Sequence, residues 1–307
     1  MEYILSFLVT LILTPVLAKK FKRLGIVGED LHKEDRRKIP ELGGISILTG
    51  FLIGILVAFS RYEDVKLLIA ALIVTLTGIV GIIDYFKQLS PKEKIVSLSL
   101  IGIILVPFCN PYLFGVNFGI LYLLSLPIFF AIVCNFTNML AGFNGLEIGT
   151  GAIACLGLGI VARLSHVETS EVISLTMFAC LIAFLLFNKY PAKVFPSDVG
   201  TLPIGAAIFC AAVFGKLELY GIIVLIPYAI DALLKYLSVG VMTRQQQKAT
   251  IVRNGLLYIP EGSNLSLPRL FLKRKPMRER ELVIRVWCVE FVFCLFAVFL
   301  KVLCGAL

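Results

Sequence analysis

Charge is scarce in this chain. Only 16% of its 307 residues are Asp, Glu, Lys or Arg, against roughly 25% in an ordinary soluble domain. With 59% hydrophobic residues and a mean hydropathy of +0.94, that scarcity excludes the two soluble domains the length alone suggests. It leaves a single integral-membrane domain over residues 1–307. The eight cysteines include no CxxC pair, which excludes a metal cluster or disulfide frame and leaves them as small packing residues. The first apolar run opens on "MEYILSF" without the positive flank of a signal peptide, and "KKFKR" follows it instead. It reads as a retained helix with its N-terminus outside. No aromatic-interleaved basic patch is present, which excludes nucleic acid as a partner. No internal repeat is visible either, which speaks against a transporter or lipid scramblase.

Long apolar runs are abundant. A bilayer core about 30 Å thick needs roughly 17 to 25 apolar residues per helix. Ten candidate spans follow, at 3–18, 42–59, 65–83, 95–108, 119–135, 148–164, 171–187, 201–214, 219–239 and 282–303. Helices are the expected spanning form, because lipid offers no partner to an unpaired backbone group. The fold class is therefore an all-α polytopic membrane protein of about ten transmembrane helices. With the N-terminus outside, the inner loops are 19–41, 84–94, 136–147, 188–200 and 240–281, and they carry 22 of the 29 Lys and Arg residues. That is the positive-inside pattern. The net charge of +9 is then a topology signal and an attraction to anionic headgroups.

The chemically equipped stretches lie in those five loops, which would meet at one membrane face. Asp84 and Asp198 are oxygen donors suited to Mg²⁺, which takes one or two carboxylates together with substrate phosphates. Lys94, ten residues past Asp84 and beyond the turn at "SPKEK", can meet a phosphate as a point charge. Asn138 and Asn144 can bind a metal, a sugar or a base edge, and Gly142 and Gly145 permit close backbone approach. Carboxylates, one cation and lysine at headgroup level suit a reaction between two phosphates, whose mutual repulsion must be neutralised. On spacing alone, solvated loop charges and helix caps account for the same residues equally well.

Three longer stretches narrow the choice: "DLHKEDRRKIPELGG", "NFTNMLAGFNGLEIG" and "NKYPAKVFPSDVGT". In this order, and within the ten-span layout, they resemble the polyprenyl-phosphate N-acetylhexosamine-1-phosphate transferases. The likeness is strongest to the archaeal and eukaryotic branch that moves GlcNAc-1-phosphate from UDP-GlcNAc to dolichyl phosphate. It covers nearly the whole chain. The resemblance implies that Asp84 is the first of the family's paired aspartates and Lys94 its phosphate-binding lysine. Asn138 and Asp198 would hold Mg²⁺ (or Mn²⁺) on the sugar-nucleotide diphosphate. Gly142 and Phe195 would form the two sides of a slot for uracil, Asn144 would read the ring edge, and Leu31 and Glu41 would border the nucleotide. Arg244 would belong to the basic cluster of the last inner loop. Also implied are a bilayer setting in the cell membrane, an active site facing the cytoplasm, polyprenyl or dolichyl phosphate as acceptor, and a homodimer.

Two positions depart from the pattern. Tyr85 stands where the second aspartate is usual, and Gln246 stands where an arginine is expected. Tyr is no routine magnesium ligand, so the second aspartate's role does not carry over. The competing reading within the family is a UDP-MurNAc-peptide donor with undecaprenyl phosphate. Against it, "AGFNGLE" replaces that branch's aspartates, and its histidine cluster is missing.

Three features outside the motifs complete the reading. Asp231 and Lys235, four residues apart within an apolar span, form a pair along one helix face. Glu290 has no basic residue within one turn, and Arg285 is five positions away. "PRLFLKRKPMRERE" reads as an interfacial segment held to anionic lipid.

Overall fold

A computed structural model describes residues 1–109, 111–113, 116–240 and 248–306. It is all-α apart from three two-stranded ribbons. Helix α1 (Glu2–Arg23) leads into β1 (Val27–Glu29) and β2 (Lys38–Pro40), followed by α2 (Gly44–Tyr62) and α3 (Val65–Lys87). Next come α4 (Pro91–Gly102), a 3-10 stretch (Ile103–Phe108), β3 (Tyr112–Leu113) and β4 (Val116–Asn117). Then follow α5 (Gly119–Met139), α6 (Leu146–Leu164), α7 (Glu168–Asn188), α8 (Asp198–Phe214) and α9 (Glu218–Val239). The chain ends with β5 (Ile251–Arg253), β6 (Leu256–Tyr258), α10 (Leu267–Arg274) and α11 (Glu279–Ala306). Each ribbon is antiparallel.

All ten expected spans are helical, and eight are long and apolar enough to cross a membrane among the described residues. The protein is a polytopic membrane protein. The two shorter segments have distinct causes. The fourth is α4 plus the 3-10 stretch that contains Pro107, whose ring cannot continue an α-helical ladder. The eighth is α8, only 17 residues long, but every one of them is buried. Neighbouring helices, not lipid, surround α8, so it need not match the bilayer thickness.

In lipid there is no hydrophobic drive between helices, so small residues and close packing hold them together. α8 is the clearest case. Gly205 lies against α5, where a Cβ would sit 2.7 Å from the Cα of Cys134. Gly81 of α3 faces the first turn of α8, and a Cβ there would overlap the backbone of Asp198 and Val199. These two approaches bring the ends of α3 and α5 onto the start of α8. Gly81→Ala is therefore expected to push α3 off α8, lower the melting temperature and reduce activity at least about tenfold. Wild-type melting and turnover would show that the approach is dispensable.

The cysteines follow the sequence reading: all eight are free and five are buried. The part of the last inner loop from residue 248 onward is folded. It holds the β5–β6 ribbon and α10, and Leu257 N donates to the carbonyl of Met277 at 2.9 Å. Leu267 and Leu272 of α10 are buried in the protein core, while Leu270 is exposed beside the basic last turn.

Candidate active site

Asp84 lies in the last turn of α3, and the chain turns sharply behind that helix. Gln88 adopts a left-handed conformation, Ser90 and Glu93 form a capping box, and Pro91 opens α4. The turn is fastened to the aspartate itself, since Leu89 N donates to Asp84 Oδ1 at 2.9 Å. One turn into α4, Lys94 comes back over the site. Its Nζ donates to Asp84 Oδ2 at 3.0 Å and to Asp198 Oδ2 at 2.6 Å. Asn138, in the last turn of α5, donates from Nδ2 to the same Asp198 oxygen at 2.9 Å. Its Oδ1 accepts from Thr201 Oγ1 at 2.7 Å. Four residues named from sequence, spread over α3, α4, α5 and α8, thus form one connected network.

Both carboxylates are buried, Asp84 at 3% and Asp198 at 4% exposure. Two carboxylates and one ammonium carry net charge −1 when all three are ionised. A polar cluster that acidic, at the membrane-loop boundary, suits cations and the phosphates that come with them. Thr201 was not anticipated. It lies three residues past Asp198, on the same face of α8, and "SDVGT" carries the only signal. Tyr85 packs against the cluster of Phe21, Leu42 and Val199, with its ring edge-on to Phe86.

A second network ties the other inner loops together around Asn144. Its Nδ2 donates to Glu279 Oε1 at 2.7 Å and to Asp30 Oδ2 at 3.1 Å. Its backbone N also donates to Glu279 Oε1, at 2.7 Å. Its Oδ1 accepts from Ala192 N at 2.7 Å. Lys33 pairs with Asp30 at 3.3 Å and with Glu279, and lies 4.5 Å from the Tyr190 ring centroid. Segments 135 residues apart meet here. Sequence reasoning missed Glu279, Asp30 and Lys33.

Beside this network, His32 stacks on Phe143 at 4.3 Å and shares a 2.6 Å hydrogen bond with Thr250. Burial pushes the imidazole down to about 4, outweighing the pull of Asp30. His32 is therefore neutral near pH 7. Unfolding restores an ordinary value near 6.5, so the unfolded chain binds the extra proton between those limits. Stability is expected to fall as pH drops from about 6.5 towards 4. A His32→Gln variant should flatten that part of a melting-temperature profile. An unchanged slope would show that the ring does not titrate this way.

Of the proposed nucleotide contacts, Gly142 is exposed with φ 113°. A Cβ there would find only His32 Nε2, at 3.9 Å, so one face of the loop is open to a flat group. Phe195 is half-buried, anchored by its N donating to the Pro40 carbonyl at 2.8 Å and its carbonyl accepting from Gly43 N at 3.0 Å. Leu31 is exposed and Glu41 half-buried in the first inner loop. Arg244 and Gln246 lie outside the described residues.

The intramembrane pair forms as expected, with Lys235 Nζ 2.8 Å from Asp231 Oδ2. It also has a tethering role. Asp231 Oδ1 accepts from Leu267 N at 2.8 Å, and Lys235 donates to the carbonyl of Met139, next to Asn138. Glu290 is fully buried near Cys294, whose Sγ lies 3.5 Å from Oε1.

Residues 67–216 match the model for glycosyl transferase family 4. That stretch holds Asp84, Lys94, Asn138, Asn144 and Asp198. A Methanocaldococcus jannaschii protein, provisionally named a glycosyltransferase, is 42% identical over 94% of this chain and 92% of its own. The chain belongs to glycosyl transferase family 4. Another relative of this transferase comes from Saccharolobus solfataricus, at 32% identity over 97% of this chain and 95% of its own. It is provisionally named a UDP-N-acetylglucosamine–dolichyl-phosphate N-acetylglucosaminephosphotransferase. A more distant one, the phospho-N-acetylmuramoyl-pentapeptide-transferase of Halalkalibacterium halodurans, is 26% identical over 97% of this chain and 96% of its own. The protein is thus a phospho-sugar transferase, a membrane phosphotransferase built on the helices that carry the Asp84–Lys94–Asp198–Asn138 network.

Proposed function

We propose that this transferase moves GlcNAc-1-phosphate from UDP-GlcNAc to a polyprenyl phosphate of the dolichyl type. The products are a GlcNAc-diphospho-lipid and UMP, the first step in assembling a lipid-linked glycan for protein N-glycosylation. The observation that carries the reading is Lys94 bridging two buried carboxylates while Asn138 meets the same Asp198 oxygen. The name of the Saccharolobus relative supports GlcNAc as the sugar.

In the reaction, an acceptor phosphate oxygen attacks the β-phosphorus of the donor. The bond from that phosphorus to the bridging oxygen breaks, and UMP leaves with the oxygen and its electron pair. Two phosphates at about 4 Å repel by about 1 kcal/mol per charge pair in water and by about 4 kcal/mol at an effective dielectric of 20. Lys94 supplies positive charge where they meet. Asp84 holds Lys94 in place from the α3 side and orients the acceptor phosphate.

The donor set fits magnesium. Asp198 offers a carboxylate and Asn138 the second lone pair of the amide oxygen that accepts from Thr201, hard ligands that leave the remaining positions to water and phosphate. Mn²⁺ would be accepted by the same oxygens. Bound there, the cation would neutralise charge on the donor diphosphate. Gly142 and Phe195 flank the uracil, and Asn144 meets its edge. Leu31 and Glu41 border the nucleotide from the first loop, and Arg244 of the last loop belongs to the same substrate-binding set. The positive-inside distribution of Lys and Arg supports a cytoplasmic site and an external N-terminus, in the cell membrane.

The experiment that tests donor identity offers UDP-GlcNAc and UDP-MurNAc-pentapeptide side by side to purified protein with polyprenyl phosphate and Mg²⁺. Lipid-linked GlcNAc is the expected product, with little from the second donor. Preference for the muramoyl donor would overturn the sugar assignment, and no product from any UDP-sugar would overturn the transfer reading.

A further inference from the structure

The amide of Asn144 is almost fully committed inside the protein. A side-chain amide has two N–H donors and an oxygen with two lone pairs. One Nδ2 hydrogen goes to Glu279 Oε1 and the other to Asp30 Oδ2. One lone pair of Oδ1 takes the backbone N–H of Ala192. What remains is a single lone pair on Oδ1. The amide cannot turn over, because that would set its oxygen against two carboxylates and its NH₂ against the N–H of Ala192. The three side chains are buried, Asp30 at 3%, Asn144 and Glu279 at 4% exposure or close to it.

Glu279 does more than accept one bond. The same oxygen receives the backbone N–H of Asn144, so it fixes the main chain and the side chain of that residue together. Lys33 adds one positive charge to the Asp30–Glu279 pair. We infer that Glu279, together with Asp30, is a positioning residue that locks Asn144 as an acceptor only and so makes the site select uracil over cytosine. Uracil carries an N3–H that a lone pair can receive. Cytosine has a bare N3 and meets that lone pair with another. The selection rests on Asn144 facing the base, as in the function proposed above, and it assigns the discrimination to a carboxylate that starts α11, 135 residues away.

The test measures binding of UDP and of CDP to the full-length protein by calorimetry, in wild type and three variants, alongside melting curves. Wild type is expected to prefer UDP by at least about tenfold, as a site built around one hydrogen bond rejects a base that lacks it. Glu279→Ala should shrink that preference to about threefold or less. Glu279→Gln keeps an oxygen for both Asn144 donors and should retain most of it. Asp30→Ala removes one of the two carboxylates that bar the amide from turning over and should also shrink the preference, though less than Glu279→Ala; it reads the same lock if Glu279→Ala does not fold. The inference is overturned if wild type shows no preference, if a folded Glu279→Ala keeps it, or if the alanine variants weaken both nucleotides equally. Wild type that prefers UDP yet transfers no sugar phosphate would sink the transfer reading and leave this one standing.

Discussion

Asp198→Ala is expected to lower turnover about a thousandfold while the protein still unfolds cooperatively. One oxygen of Asp198 receives both Lys94 and Asn138, so its loss releases the two groups proposed to meet the donor diphosphate. Removing one preorganised charged group from a transfer site costs about a hundred- to a thousandfold. Here two further side chains lose their anchor with it, which places the effect at the upper end. Asn138→Ala should follow in the same direction, since its Oδ1 is also tied to Thr201. The α8 backbone, held by its glycine contacts with α3 and α5, should stay in place. Near-normal turnover in Asp198→Ala would show that the network is structural.

Lys94→Met separates two roles that a simple loss of activity cannot. With the ammonium gone, Asp84 and Asp198 face each other without the cation that bridges them now. Turnover should fall about a hundredfold or more, because phosphate–phosphate repulsion is no longer offset. The half-saturating Mg²⁺ concentration should move the other way. The Asp198 carboxylate, with Asp84 close by, attracts a divalent ion more strongly once the competing ammonium is removed. A lower kcat with tighter apparent Mg²⁺ binding is the expected signature. Weaker Mg²⁺ binding in Lys94→Met would contradict the proposed arrangement of lysine and metal.

The spans were legible because a bilayer imposes a length and a composition on any helix that crosses it, and all ten apolar runs are helical. What hydropathy could not show was the form of the short ones. Pro107 sits in a 3-10 stretch, and α8 is wrapped by other helices. The Asp84, Lys94, Asn138 and Asp198 cluster was legible because isolated polar residues stand out between greasy runs. Glu279 was hidden for the opposite reason: within "MRERE" it looks like one more interfacial charge, and its partner lies in a different loop. Asp30 and Lys33 were masked in the same way by the charged neighbours of the first inner loop. A hydrogen bond across 135 residues leaves no mark in composition or periodicity. Tyr85, where the resemblance implies a second aspartate, packs beside Phe21, Leu42 and Val199, while Asp84 next to it bonds Leu89 and Lys94.

The nucleotide released from UDP-GlcNAc discriminates most directly between sugar-phosphate transfer and transfer of the sugar alone. Attack at the β-phosphorus must leave UMP, whereas attack at the sugar carbon must leave UDP. Purified protein supplied with UDP-GlcNAc, polyprenyl phosphate and Mg²⁺ is predicted to release UMP, one for each lipid-linked GlcNAc diphosphate formed. Release of UDP in step with the lipid product would contradict the account.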